Sequence, residues 1–415
     1  MGLSHDRKDP QPWPFGWWVA LAAALQLGLF AALAWRGLAG TSDSVIYVHA
    51  AGTLRGAARL LNPDGSAYRF WPPLYPLLLA LGNGAGAAVV LHAVSLGASL
   101  VGWGWLGHRL LPRSLAVALL FALALSTPWL VVSKFLWGET VFLALFAGYA
   151  LGLYQWLATR RIGGWALATA VGALLPLHRT AGFFILMGAA AGLLLSRKQP
   201  NSLPRLALAG HFVLVLLGGM AWHIYALLVA APSVYRLNRG WTQFFNSAAD
   251  YGFVLSRWVL PVRAAWRPDV PIVWALALVA ALVVMYPQQH SITPGAERGL
   301  LPAAGAQRTF LLVMWSILVS FILTLLISTT FTRSASGLYD AERYASVLYG
   351  PALVLLFERG SRAWAAANGA ELRSRKQWLL LGLLGCWLAY AAGRGISNVL
   401  ALQPTATLSW PAEGK

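Results

Sequence analysis

Acidic side chains number 13 in 415 residues, so each one placed beside an apolar stretch needs a reason. Asp43 follows the first such stretch after a short linker. It opens a segment in which Ile46, Ala50, Leu54, Ala57 and Leu61 recur at spacings of three or four, the stripe of an amphipathic helix lying on a membrane surface. Tyr47 falls one turn after Asp43 on the same face, and His49 belongs to the same short helix. The positive end of a helix suits a carboxylate, the form a general base must hold. Ser42 and Asp43 are equally good helix caps, so capping is the plain alternative for Asp43. Asp64, Glu139, Asp250, Asp269, Asp340 and Glu342 are expected at the same side of the membrane, and Glu139 reads as a helix-start acid. Arg69, Arg179 and Arg343 each stand at the end of an apolar stretch, where a guanidinium fork can meet phosphate oxygens or a lipid headgroup. His92, His108, His211 and His223 show no ligand spacing, and Cys386 is the single cysteine, which excludes disulfides and cysteine-rich zinc sites.

The elements that must position these groups are membrane helices. The chain is 58% hydrophobic and 11% charged, with mean hydropathy +0.63. The apolar residues come in blocks of the length that crosses a hydrocarbon core. Eleven blocks are expected to span, at 17–35, 86–106, 115–133, 139–157, 162–177, 180–195, 206–230, 270–286, 309–329, 344–357 and 377–393. The fold class is therefore all-α and polytopic, a single transmembrane domain over 1–415 with no separate soluble domain. The run 17–35 is longer than a signal-peptide core and lacks a clean cleavage site, so it reads as a retained anchor. Tryptophan (21) and tyrosine (13) gather at block ends as an interfacial belt.

A net charge of +18 would suggest nucleic acid in a soluble protein. Here no stretch free of apolar blocks is long enough for a nucleic-acid-binding domain, and the basic residues lie between spans, facing lipid phosphates. Arg7 and Lys8 place the N-terminus in the cytoplasm, with Arg109, Arg113, Arg160, Arg161, Arg197, Lys198, Arg373, Arg375 and Lys376 in the short loops of that side. The two long outer segments are then 36–85 and 231–269. The first divides into the helix opened by Asp43, a turn at Asn62-Pro63-Asp64-Gly65, and a proline-led interfacial helix within RFWPPLYPLLLAL, 69–81. In the second, PSVYRLNRGWTQFFN (232–246) mixes aromatics with arginine, as a sugar binder or an interfacial anchor does.

The stretch SDSVIYVHA followed by FWPPLYPLLLAL resembles the first outer loop of the GT-C glycosyltransferases. It is most similar to the bacterial branch related to protein O-mannosyltransferases and the lipid A aminoarabinose transferase. WGETVFLAL (137–145), HRT (178–180) and ERYASVLYGPALVLLF (342–357) are further matches. The resemblance implies inverting transfer of a sugar from a polyprenyl-phosphate donor to a glycan, lipid or protein acceptor at the outer membrane face. It implies Asp43 as the base. Tyr47, His49, Asp64, Arg69, Tyr75, Glu139, His178, Arg179, Arg343 and Tyr344 are the implied substrate-binding residues. Relatives often carry a second acid directly after the first, where Ser44 stands here. A divalent metal is therefore possible by resemblance but unsupported by the sequence. The expected setting is a bacterial inner membrane with the site facing the periplasm, among membrane lipids and without nucleic acid. A secondary transporter or lipid flippase is the main rival, disfavoured by the lack of internal repeats and of charges at span centres. A membrane scaffold and an oligosaccharide ligase or polymerase are weaker rivals.

Overall fold

A computed structural model describes residues 14–69, 71–82, 84–198, 203–229, 240–262, 271–287, 301–331, 338–366 and 373–401. Arg7, Lys8, Asp269 and residues 232–239 of the aromatic–arginine segment lie outside these. The described regular structure is helical, apart from two isolated β-bridges. The first half holds α1 (Phe15–Ala34), α2 (Ser42–Ala57), α3 (Leu74–Leu81), α4 (Gly84–Leu110), α5 (Arg113–Ala124), α6 (Thr127–Lys134), α7 (Glu139–Thr159) and α8 (Ile162–His178). The second holds α9 (Gly182–Leu195), α10 (Arg205–Val229), α11 (Trp241–Val259), α12 (Pro271–Val284), α13 (Leu301–Phe331), α14 (Leu338–Ala345), α15 (Tyr349–Ala366) and α16 (Arg373–Ala401).

The chain is an all-α polytopic membrane protein. Seven described stretches are long and apolar enough to cross a bilayer, and α8, α9 and α12 are shorter apolar helices. The expected block 344–357 is different: a 3-10 turn at Ser346–Leu348 separates α14 from α15, which carries Glu358, Arg359 and Arg362 before its end at Ala366. The block 115–133 is also broken, because Ser126 starts a new helix. Its hydroxyl accepts from Trp129 N–H (3.2 Å), and Pro128 sits in the first turn, where its missing N–H costs nothing. Hydropathy alone does not register that cap.

Burial separates core from periphery. In the spans of α7 and α13, 61% of the apolar window is buried, against 11% in α16. The core helices meet through small residues, as helices in lipid do when backbones approach closely. Gly188 and Gly192 of α9, four apart, face Ile317 and Val313 of α13; a Cβ at Gly188 would stand 2.4 Å from Ile317 Cα. Gly152 and Gly164 let α7 and α8 approach in the same way.

The first outer loop forms as expected in outline, with a rotated register. The N-cap of α2 is Thr41, whose N–H donates to Ser44 Oγ (3.0 Å), a capping box with serine in the reaching-back position. Its buried face is Ser44, Tyr47, Val48, Ala50 and Ala51; of the expected stripe Ala50 is buried, Ile46 and Leu54 are half-buried and Ala57 is exposed. The reason is that α2 packs on protein: it lies against α3 and the α6–α7 connector. The turn at 62–65 closes with Gly65 N–H donating to Asn62 O (2.9 Å), and glycine supplies the positive φ of 79°. The proline-led helix is α3, with Pro73 as N-cap and Pro76 in its first turn.

Gly188→Ala should lower the melting temperature of the detergent-purified protein, an overpacking cost of about 1–3 kcal/mol. Gly163→Ala, with open space around the added methyl, should be neutral or stabilising. Equal melting behaviour of the two variants would contradict the close α9–α13 contact.

Candidate active site

The α6–α7 connector, Phe135 to Gly138, fixes the first loop against the core. Ala39 N–H donates to Lys134 O (2.9 Å) and Leu136 N–H donates back to Ala39 O (3.0 Å). Ser44 Oγ donates to Leu136 O (3.0 Å), and Trp137 Nε1 donates to Thr41 Oγ1 (2.8 Å). Two residues with hydroxyls, Thr41 and Ser44, thus flank Asp43 and tie the start of α2 to the start of α7. Ser44 stands where relatives of the resembled family place a second acid, and here it is a structural anchor.

Glu139 is fully buried at the first position of α7. Glu139 is the helix-start acid expected, following Gly138 as the N-cap. Its carboxylate also meets two arginines from distant parts of the chain. Arg343 of α14 donates from Nε to Oε1 and, at 3.5 Å, from Nη2 to Oε2. Arg179, just past the end of α8, meets Oε2 through Nη1 as an ion pair without hydrogen-bond alignment. Arg343 Nη2 also lies 3.0 Å from Asp43 Oδ2. One guanidinium therefore bridges the buried carboxylate and the carboxylate of the first loop.

Aromatic rings complete the enclosure. Arg343 lies 4.1 Å over the Trp137 ring, and the Tyr344 ring faces Arg343 and Arg179 at 5.8 and 5.9 Å. Tyr47 packs edge-on against Tyr75 (5.0 Å) and Trp71 (6.3 Å). Burial pushes the Tyr47 hydroxyl well above the ordinary phenol range, so it stays a neutral donor. Burial works against the Arg343 charge, yet Glu139 and then Asp43 more than offset this and raise its pKa. Asp340, half-buried on α14, has its carboxyl pushed up by burial, with Arg343 opposing and Asp43 and Glu139 adding to the rise.

A second layer sets these groups. His178 Nε2–H donates to Gly138 O (2.6 Å), and its ring stacks on Phe142. Tyr75 OH lies 2.8 Å from His92 Nε2, and His92 Nδ1 lies 2.9 Å from Ser133 O. A carbonyl only accepts, so His92 carries its proton on Nδ1 and the tyrosine donates to Nε2.

Of the residues expected from sequence, Asp43, Glu139, Arg179, Arg343 and Tyr344 converge directly, with Tyr47, Tyr75 and His178 packed around them. His49 is half-buried further along α2, and none of the contacts above involves it. Asp64 accepts from Ser66 N–H (2.9 Å) and Ser66 Oγ–H (2.6 Å), which hold its carboxyl below the usual range; it is an exposed turn acid. Arg69 is half-buried between that turn and α3. Trp137, Asp340 and His92 were missed as site residues, although Trp137 opens the WGET segment. Among the described residues no three His, Cys, Asp or Glu side chains group as metal ligands would. The positive charge beside Asp43 is guanidinium.

No family model matches the chain, and no curated protein sequence does. Solved structures similar to it include two of one protein. ArnT from Cupriavidus metallidurans bound to undecaprenyl phosphate shares 16% identity, with a TM-score of 0.49 over 93% of this chain and 76% of that one. The same protein in the apo state shares 15%, with a TM-score of 0.46 over 85% and 79%.

Glu139→Ala leaves Arg343 and Arg179 without their buried counter-charge. The expected loss is about 3–5 kcal/mol of stability, read as a lower melting temperature in detergent. A variant as stable as the wild type would show that the arginines find their charge balance elsewhere.

Proposed function

We propose that this chain is a membrane glycosyltransferase of the GT-C kind that its sequence resembles. It moves a sugar from a polyprenyl-phosphate donor to an acceptor hydroxyl at the outer membrane face, with inversion. The observation that carries this reading is the Arg343 bridge. It holds Asp43, from the loop bearing the resemblance, against a buried acid 96 residues further on.

In the proposed reaction the acceptor oxygen attacks the anomeric carbon in line. The bond from that carbon to the phosphate oxygen breaks, and its electron pair leaves with the polyprenyl phosphate. Asp43 takes the acceptor's proton. Arg343 orients the Asp43 carboxylate and is a positioning residue; Glu139 and Trp137 fix Arg343 in turn. The leaving phosphate is a weak base and calls for positive charge rather than an acid. Arg343 and Arg179 face two carboxylates between them, so further arginine is needed for that phosphate. The charged groups lie at helix ends and not along the middle of a span, which favours surface chemistry over a transport path.

Asp43→Asn should reduce transfer from a radiolabelled polyprenyl-phosphate sugar by about 10²–10⁴-fold. Its gel-filtration profile in detergent should match the wild type. Wild-type turnover in this variant would exclude Asp43 as the base. Movement of the lipid across vesicles without loss of its sugar would favour the flippase reading.

A further inference from the structure

A second charged group sits next to the first along α14, and its balance is different. Arg257 Nη1 of α11 and Arg394 Nη2 of α16 donate to the same oxygen, Glu342 Oε1, at 2.7 and 2.9 Å. Two guanidinium charges thus face one carboxylate. Arg394 Nη1 also donates to Arg257 O (2.7 Å), where Tyr390 OH joins it (2.9 Å). Among the described residues, the Nε–H of each arginine is buried without an acceptor. Two orphaned donors and an uncompensated positive charge are costly unless an anion completes them.

The surroundings indicate what kind of anion. A small cavity opens at the pair, lined by Thr127, Pro128, Val131, Trp258, Glu342 and Arg394. Next to it, an apolar groove of about 250 Å³ runs between α15 and α16, lined by Val259, Leu353, Phe357, Leu380, Leu384 and Trp387. Trp258 and Val259 are consecutive, and Trp387 Nε1 donates to Trp258 O (2.8 Å), so cavity and groove share a wall. Leu380, Leu384, Trp387 and Arg394 follow one face of α16, with Arg394 two turns beyond the tryptophan. Only 11% of the α16 span is buried, so the groove is reachable from lipid. A cationic head site above an apolar channel is complementary to an anionic head on a long hydrocarbon tail.

We propose that Arg257 and Arg394 hold the phosphate of a polyprenyl phosphate, its tail along the α15–α16 groove, and that Glu342 is the resident counter-ion which this phosphate displaces. The choice of a polyprenyl chain over an ordinary phospholipid rests on the transfer reading. Glu342 adjoins Arg343, which bridges Glu139 and Asp43, so one short helix carries both the counter-ion of this site and the residue that positions the base.

The test is lipid binding alone, by native mass spectrometry of the detergent-purified protein titrated with undecaprenyl phosphate and, separately, phosphatidylglycerol. Arg257→Gln/Arg394→Gln should weaken undecaprenyl phosphate binding by about tenfold or more, through loss of charge-assisted hydrogen bonds. Leu384→Trp, which fills the groove without changing charge, should weaken it too. Glu342→Gln, which keeps both arginines, should tighten it. Should the double variant not fold, the last two carry the test. Binding with these dependences supports the proposal even where no sugar is transferred, which separates it from failure of the transfer reading. Unchanged affinity in a folded double variant, or weaker binding by Glu342→Gln, overturns it. Equal affinity for phosphatidylglycerol overturns it in favour of an ordinary membrane lipid.

Discussion

A carboxylate taken out of water inside a membrane protein must be answered by opposite charge, and Glu139 sets that requirement here. The answer comes from Arg179 at the α8–α9 reversal and Arg343 on α14. Because Glu139 opens α7, the ends of three separate helices are drawn to one place. Arg343 has donors left over, and one of them reaches Asp43. The position of the first loop is thus coupled to the most buried charge in the site. The α6–α7 connector reinforces the coupling by binding Thr41 and Ser44 on either side of Asp43.

Two adjacent residues on α14 divide the charged groups between them. Arg343 faces the carboxylates, and Glu342 faces the arginines. The first group has its charges paired one against another through Arg343, whereas the second carries an excess of positive charge and two unused donors. In the proposed reaction this separates labour: one group orients the base, the other receives the phosphate. A short helix of eight residues relates the two, and the 3-10 turn at Ser346–Leu348 after it sets its angle to α15.

The helices were legible in the sequence because each must be apolar for the length of a bilayer, and that signal is long-range and redundant. What hydropathy hid was local chemistry. The Ser126 cap and Pro128 break a continuous apolar run, and the polar end of α15 extends past the apolar block. The register of α2 was only partly right: Ala50 of the apolar stripe is buried, but the stripe was matched to a lipid surface, while the fold turns Ser44 and Tyr47 inward against protein. Within the site, Asp43, Glu139, Arg179 and Arg343 were legible as costly charges at block ends. Their pairing was not, since it joins residues up to 300 apart in the chain and only packing decides it. Asp340 was one of several outer acids and Trp137 opened a matched segment, but nothing local to either residue marked it as part of the site. Arg257 and Arg394 were not singled out in the sequence at all, and the Glu342 oxygen they share is what distinguishes them.

The central claim is that Arg343 orients Asp43 and does not itself hold the donor's phosphate. Steady-state kinetics of Arg343→Lys with a polyprenyl-phosphate sugar tests this most directly, because lysine keeps the charge and loses the fork that spans Glu139 and Asp43. The account predicts a kcat lower by about tenfold or more with a donor KM within about twofold of wild type. A KM raised by the same factor at unchanged kcat would contradict it and make Arg343 a phosphate ligand.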